Sequence, residues 1–331
     1  MRKQMINSLK VGDEVETQAV VLELNRAAFS TPQRAGDFFL RLTLGDVSGR
    51  VKAVMWEPPV GDEAVAAGDV VFLRGTVNEY HGLQVVVSDL RRLDPGKVNR
   101  AFFQPVSERK EDEMVAELKG ICEEEIKNTS LRALLQAFFG DEDFLRKFSL
   151  APAARTIHHN CVGGLLEHTL EVAALCRNLA ELYPEKINRD LLLAGALLHD
   201  IGKLEEYRQD SLSFEFSDRG KLVGHISIGK EMLDRKLAGL PDFPADLKLE
   251  LEHILLTHHG QRDWGSPEVP KTVNAFALFH ADLVSARMNQ FTGIMKNHPE
   301  GGGDWTEWDR FLERSIYVGG AKEEREDYPC I

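Results

Sequence analysis

Residues 191–207 read LLLAGALLHDIGKLEEY, and the fold turns on this stretch. An apolar run leads straight into His199-Asp200 and then into Ile201-Gly202-Lys203. The run is too short to span a bilayer, so it reads as a core helix. Its apolar turns anchor it, and the residues at its end project towards a cavity. A histidine and an aspartate delivered there are ligand types for a borderline metal.

Working outward, further candidates fall in order. His168 lies in GGLLEHTLEVAALC, in the first turns of a helix opened by two glycines. His225 follows Gly224 in GHISIG. His258-His259 ends the helix ELEHILLTHHG, stopped by Gly260. Asp282 sits inside the apolar helix TVNAFALFHADLVSARMNQ, where a carboxylate is costly unless paired or metal-bound. Each element alone is weak: a lone histidine on an apolar helix is more often core or surface than ligand. The conjunction H…HD…H…HH…D, mostly at helix starts and ends beside apolar anchors, points to one pocket. His158, His159, His253, His280 and His298 are the competitors in the helical part.

The chain has 331 residues, about right for two domains, and is 43% hydrophobic and 28% charged, as soluble globular proteins are. Its net charge of −13 argues against a generic nucleic-acid coat protein. Residues 1–100 are charge-balanced, so the remainder carries the acidity. An acidic second part fits a metal site. Cys122, Cys161, Cys176 and Cys330 are scattered, which reads as reduced thiols of a cytoplasmic protein. The start has positive charge without an apolar run behind it, so no signal peptide is expected.

The first hundred residues read as β. Runs at 15–24, 38–44, 50–56, 70–77 and 83–90 are strand-like. Leu40, Leu42 and Leu44 alternate with Phe39, Arg41 and Thr43. Five strands in this length suggest an OB-like barrel or another small barrel. Pro95, Gly96 and Pro105 mark a linker. From about Asp112 the apolar spacing turns helical, with Thr129 or Ser130 as the cap of a second helix. Beyond Pro152 the chain reads as helical almost throughout, with loops near Pro184, 210–220, 241–244 and 260–270.

The H…HD…D pattern resembles the HD-domain metal-dependent phosphohydrolases, an all-α fold. Together GGLLEHTLEVAALC, LLLAGALLHDIGKLEEY, GHISIG, LTHHGQRDWGSPEVP and HADLVSARMNQF resemble a narrower group. These are the YhaM-type 3′-to-5′ exoribonucleases, which join an N-terminal OB-fold to an HD domain. The likeness covers nearly the whole chain. One departure is the absence of a second acidic residue shortly after Asp282.

The expected fold class is therefore a multidomain α+β chain, a five-stranded OB-like β-barrel followed by an all-α HD domain. The boundaries expected are 1–96 for a nucleic-acid-binding OB-fold and 97–150 for a linker and helical connector. Residues 151–318 would be the HD domain and 319–331 a tail. The resemblance implies metal-dependent hydrolysis of phosphodiester bonds. His168, His199, Asp200 and Asp282 would hold one metal. His225, His258 and His259 are the imidazoles a second needs, with Asp200 available to bridge. The alternative for His225 is a supporting or substrate-binding role beside a single metal. Two ions about 3.5–4 Å apart can activate water and stabilise the leaving oxygen. Mixed His/Asp ligation suits Mn²⁺, Fe²⁺ or Zn²⁺ over Ca²⁺, and the family implies manganese.

Lys203, three residues past His-Asp, is a candidate catalytic residue beside Asp200, offering a point charge to the phosphate. Its alternative is a solvated lysine at a helix end. His158 and His159 could contact substrate or belong to a plain loop. Trp264 and the turn Gly265-Ser266-Pro267 could shape the pocket rim or serve structure alone. On the barrel, Phe39, Arg41, Lys52, Trp56, Tyr80 and His81 are candidates for gripping single-stranded RNA, or DNA, by stacking and phosphate contact. An aromatic residue in a small five-stranded barrel is more often core than stacking platform. The function expected is a 3′-to-5′ exonuclease. The alternatives are a phosphohydrolase of nucleotides or cyclic dinucleotides, and a nucleic-acid-binding module with an inactive HD domain. No membrane association is expected, and the oligomeric state stays open.

Overall fold

The computed structural model describes residues 4–29, 34, 36–58, 65–94, 97–99, 102–154, 160–208, 215–299 and 301–319. His158, His159 and Cys330 lie outside them. Among the described residues, five strands close into a barrel: β1 (Glu14–Ala28), β2 (Phe38–Asp46), β3 (Gly49–Met55), β4 (Val70–Glu79) and β5 (Leu83–Arg92). Their order around the barrel is β1-β2-β3-β5-β4, with β3 and β5 parallel and the other pairs antiparallel. This is the OB arrangement.

Closure depends on the length of β1. Its first half pairs with β4 and its second half with β2, and Val20 takes part in both ladders. A register shift between Val21 and Glu23 bends the strand where it changes partner. Leu40, Leu42 and Leu44 of β2 point inward with Val85, Val87 and Leu90 of β5, which is why the alternation was visible.

Phe103 packs on Val20 and Val70, and the Val47 amide donates to the Phe102 carbonyl at 2.9 Å. These contacts dock the linker on the barrel. Helix α1 (Glu111–Gly120) runs into a short wide turn, Ile121–Glu125, before α2 (Thr129–Phe139) and α3 (Glu142–Leu150). The cap of α2 is Asn128, one residue before the expected Thr129 or Ser130. Its Oδ1 accepts from the Ser130 and Leu131 amides at 3.0 and 3.1 Å.

The helical domain is built from α4 (Gly164–Leu182), α5 (Arg189–Leu198), α6 (Lys203–Glu206), α7 (Asp218–Val223), α8 (His225–Leu237), α9 (Ala245–Thr257) and α10 (Val273–Lys296). Helix α5 is the axis. Leu191 to Leu198 are all buried, enclosed by α2, α4, α9 and α10. Glu125 ties the connector to this bundle through a two-pronged pair with Arg177 (2.9 and 2.8 Å) and a contact with Arg189 (2.5 Å). Past Lys296 the described chain holds no helix, contrary to the helical expectation there. Gly301, Gly302 and Gly303 open an irregular segment joined by isolated bridges, Trp305 to Tyr317 and Asp309 to Arg314. No helix among the described residues is long and apolar enough to cross a membrane.

Candidate metal centre

Five helices deliver the sequence-marked residues to one place. His168 comes from the second turn of α4, and Asp282 from the middle of α10. His199 caps the C-terminus of α5 and Asp200 follows it. His225 opens α8, and His258 caps α9 with His259 after it. Two groups of ligand atoms, each within 4.8 Å of one another, result: His168, His199 and Asp200, and His225, His258 and His259.

Asp200 stands between the groups. Its Oδ2 lies 3.3 Å from His199 Nε2 and 3.7 Å from His168 Nε2. Its Oδ1 lies 3.5 Å from His258 Nε2 and 3.6 Å from His225 Nε2. Asp282 Oδ1 adds to the first group at 3.1 Å from His168 Nε2.

The far side of each imidazole settles its tautomer. His199 Nδ1 donates to the Ala196 carbonyl (2.8 Å), His258 Nδ1 to the Leu255 carbonyl (2.8 Å) and His259 Nδ1 to the Trp264 carbonyl (3.0 Å). His225 Nδ1 donates to Glu206 Oε1 at 2.9 Å. His168 Nδ1 faces Ser285 Oγ at 3.0 Å, and that hydroxyl donates to Glu171 Oε2 at 2.7 Å. With every Nδ1 acting as the donor, all five Nε2 atoms present lone pairs to the centre.

Two of these lone-pair contacts are close. His168 and His199 bring their Nε2 atoms to 3.3 Å, as do His225 and His259. Neutral lone pairs at that separation repel, and a cation between them makes both contacts attractive. Asp200 Oδ1 and His258 Nε2 are moreover buried without a hydrogen-bond partner among the described residues. Burying such groups unmatched costs on the order of 1–3 kcal/mol each. The donor set therefore fits a divalent metal, with imidazole and carboxylate suited to borderline transition ions.

Charge is arranged to match. Burial pushes the Asp200 carboxyl up, but Lys203, His199 and His258 outweigh it and hold the group well below the usual carboxylate range. Asp282 is likewise lowered against its burial, by His168 first and then His199 and His258. Burial lowers His168 and His258, and with the neighbouring His258 and His225 it takes His259 down to about 3. His199 goes up: burial opposes protonation, but Asp200 and Asp282 prevail. Because its Nδ1 is already a donor, a proton on His199 competes with a metal for Nε2.

Lys203 is not a solvated helix-end lysine. It is buried, with Nζ 2.5 Å from Asp200 Oδ2. A cavity of about 370 Å³ opens here, lined by Asp200, Lys203, His258, His259, Trp264 and Asp282 among others. Gly202 explains how α8 reaches the centre. A Cβ there would lie 1.9 Å from the His225 carbonyl oxygen and 2.6 Å from the Gly229 nitrogen. Only glycine lets the two backbones meet and brings His225 up to Asp200. The turn after α9 frames the mouth: Trp264 holds His259, and Ser266 Oγ donates to the Glu268 carbonyl at 2.7 Å.

On the barrel, β2 and β3 set Arg41 opposite Val54 and Thr43 opposite Lys52, leaving Arg41 and Lys52 exposed. Phe39 is nearly buried, covered by Phe29 (5.0 Å between ring centroids) and Trp56 (4.9 Å). Trp56 is the exposed ring of this trio. Arg34 lies 3.7 Å over Phe29 and Arg41 5.4 Å over Phe39. Tyr80 forms a separate edge-on pair with His81 in the turn between β4 and β5, 4.7 Å apart.

Sequence reasoning missed Glu171, Ser285 and Glu206 behind the imidazoles, and Phe29 and Arg34 on the barrel. The first three carried a signal. Glu171 is three residues past His168, Ser285 three past Asp282 and Glu206 three past Lys203, so each shares a helical face with a marked residue. Ser285 also stands in the turn after Asp282, where an acidic residue was expected, and it relays to Glu171 instead.

Residues 165–287 match the HD domain family. The 3′-5′ exoribonuclease YhaM of Listeria innocua is 32% identical over 304 residues, covering 91% of this chain and 94% of that protein. The 3′-5′ exoribonuclease YhaM of Bacillus subtilis is 30% identical over 312 residues, covering 93% of this chain and 96% of that protein. Among solved structures, the second OB-fold domain of replication protein A from Methanococcus maripaludis is similar to 28% of this chain and 96% of that domain, at 21% identity and a TM-score of 0.25. Identity of this level along nearly the whole length, barrel and helical part together, means that the chain belongs to the YhaM family of 3′-5′ exoribonucleases.

Proposed function

We propose that this protein is a metal-dependent exonuclease that removes nucleotides from the 3′ end of single-stranded RNA, with single-stranded DNA as a further substrate. The observation that carries this reading is the pair of ligand groups meeting at Asp200 inside an open cavity. The relatives' name supplies the polarity and the preference for RNA. His168, His199, Asp200 and Asp282 would hold one divalent ion, and His225, His258 and His259 a second, with Asp200 shared. When bound, such ions supply a nucleophile from water at neutral pH and Lewis acidity towards the phosphoryl oxygens. Manganese is the ion we assign.

The chain's own groups do the rest. Glu206 orients the His225 ring, and Ser285 backed by Glu171 orients that of His168, so that both turn Nε2 to the centre. Lys203 stands at the base of the cavity, where its Nζ can meet a non-bridging phosphate oxygen. The buried turns of α5 and α9 close the floor of the site to bulk water. The barrel face around Trp56, Arg41 and Lys52 holds the strand, and Tyr80 adds a second contact. We place the activity in the cytoplasm, in keeping with the free thiols of Cys122, Cys161 and Cys176.

Labelled RNA with free and blocked 3′ ends, with Mn²⁺ or EDTA, tests the reading. A ladder growing from the free 3′ end, lost with EDTA and with Asp200→Ala, is the expected result. Hydrolysis of mononucleotides or cyclic dinucleotides with RNA left intact would assign the site to a different phosphohydrolase.

A further inference from the structure

Beyond the HD match, residues 301–319 fold back along the C-terminal half of α10. Arg287 of α10 donates to the Phe311 carbonyl at 3.2 Å and to Gln290 Oε1 at 3.1 Å. Gln290 Nε2 donates in turn to Asp309 Oδ1 at 3.3 Å, and the same carboxylate accepts from the Phe311 and Leu312 amides at 2.9 and 2.8 Å. The segment is thus held by named bonds at the point nearest the metal centre.

A cavity of about 1030 Å³ lies between this segment and α10. It and the cavity at the metal centre share two lining residues, Gln290 and Phe311. The two spaces thus adjoin at Gln290 and Phe311, with Asp200 and Lys203 on one side and Trp308 and Asn297 on the other.

The lining chemistry selects the occupant. All four tryptophans of the chain are described, and each is exposed: Trp56 by 43%, Trp264 by 46%, Trp305 by 60% and Trp308 by 68%. Tryptophan is highly buried on average, so a set of this kind marks surfaces that bind. One of them lies on the barrel face, one lines the metal cavity, and two line its extension. The extension also carries Asn289 and Asn297 amides, and the carboxylates of Glu307 and Asp309. Those acids disfavour a phosphate backbone against this wall. Rings with amides and acceptors suit nucleobases, whose faces stack and whose edges offer donors.

We propose that Trp308 and Phe311 form a base-stacking subsite for the nucleotides adjoining the scissile phosphodiester, with the single strand passing over the exposed Phe311 ring from one cavity to the other. The proposal rests on the single-strand nuclease reading above. Phe311 takes the base next to the metal centre and Trp308 the base beyond it. The segment thereby makes the site prefer an oligonucleotide to a lone phosphodiester.

Two readouts test this, with Trp308→Ala, Phe311→Ala and Trp308→Phe in the full chain. The first is anisotropy of a 5′-labelled oligoadenylate bound in EDTA, where no turnover occurs. The second is kcat/KM on oligoadenylates of increasing length and on bis(p-nitrophenyl) phosphate. Removing one ring is expected to weaken oligonucleotide binding about 5- to 150-fold, the worth of one stacked base, with Trp308→Phe restoring most of it. The loss of kcat/KM on the longer oligonucleotide should exceed the loss on bis(p-nitrophenyl) phosphate by at least about 5-fold. Unchanged oligonucleotide binding, or equal losses on both substrates, overturns the subsite and leaves the exonuclease reading standing. A wild type that binds the oligonucleotide through Trp308 but never shortens it with Mn²⁺ overturns the exonuclease reading and leaves the subsite. No binding by the wild type overturns both.

Discussion

At the metal centre each imidazole is held from behind by a backbone carbonyl, a buried carboxylate or, for His168, the Ser285 hydroxyl, and its free nitrogen has one direction to face. On the barrel, Phe29, Phe39 and Trp56 lean on one another at interplanar angles of 35° to 52°, with Arg34 and Arg41 laid over them. The first region is specified by directed hydrogen bonds and tolerates almost no displacement. The second is specified by contact between faces, which any base can join. Chemistry on one bond needs the former, and grip on a strand of any sequence needs the latter. Substitutions should therefore act steeply and on turnover in the helical domain, and gently and on affinity in the barrel.

The steepest break is expected at Gly202. Gly202→Ala forces α8 away from Asp200, and a misplacement of about 1 Å costs on the order of 10²-fold in turnover. Steady-state hydrolysis of a small phosphodiester reads this, with circular dichroism to check the fold; activity within about 3-fold of wild type would show that His225 needs no such approach. Next comes Glu206→Gln, which removes the carboxylate behind His225 and should weaken metal binding about 10- to 100-fold, read by competition with a chelator. On the barrel, Trp56→Ala should weaken RNA binding by about 10-fold while metal content stays at the wild-type level. Loss of metal in that variant would erase the contrast. The smallest effect is expected for Lys52→Ala, a few-fold loss that flattens the salt dependence by about 0.7 in the log–log slope if Lys52 meets a phosphate.

The contrast also governs what could be read in the sequence. All five strands were visible because one face of each points into a closed barrel, so burial alternates along Leu40, Arg41 and Leu42. The seven marked residues were visible because histidine and aspartate stand out at helix ends beside buried runs, and a carboxylate such as Asp282 stands out inside an apolar helix. The residues behind them were hidden by their ordinariness: Glu171 and Glu206 read as surface charges until α10 and α8 are packed on α4 and α6. Phe29 and Arg34 lie in the connection after β1, whose path depends on the closed barrel rather than on local pattern. Asn128 took the cap of α2 because the helix starts one residue earlier than expected, which puts the Ser130 and Leu131 amides within reach of its side chain. The segment after α10 escaped for a different reason. Its conformation is imposed by Arg287, Gln290 and Asp309, contacts that no periodicity announces.

We propose that Asp200 joins the two ligand groups into one dinuclear centre. Metal content of the full chain after reconstitution with Mn²⁺, for the wild type beside Asp200→Ala, tests it most directly. The wild type is expected to hold about two ions per chain, as a dinuclear site requires, and the variant to lose both. A wild type saturating at about one ion, or a variant that keeps two, would contradict it.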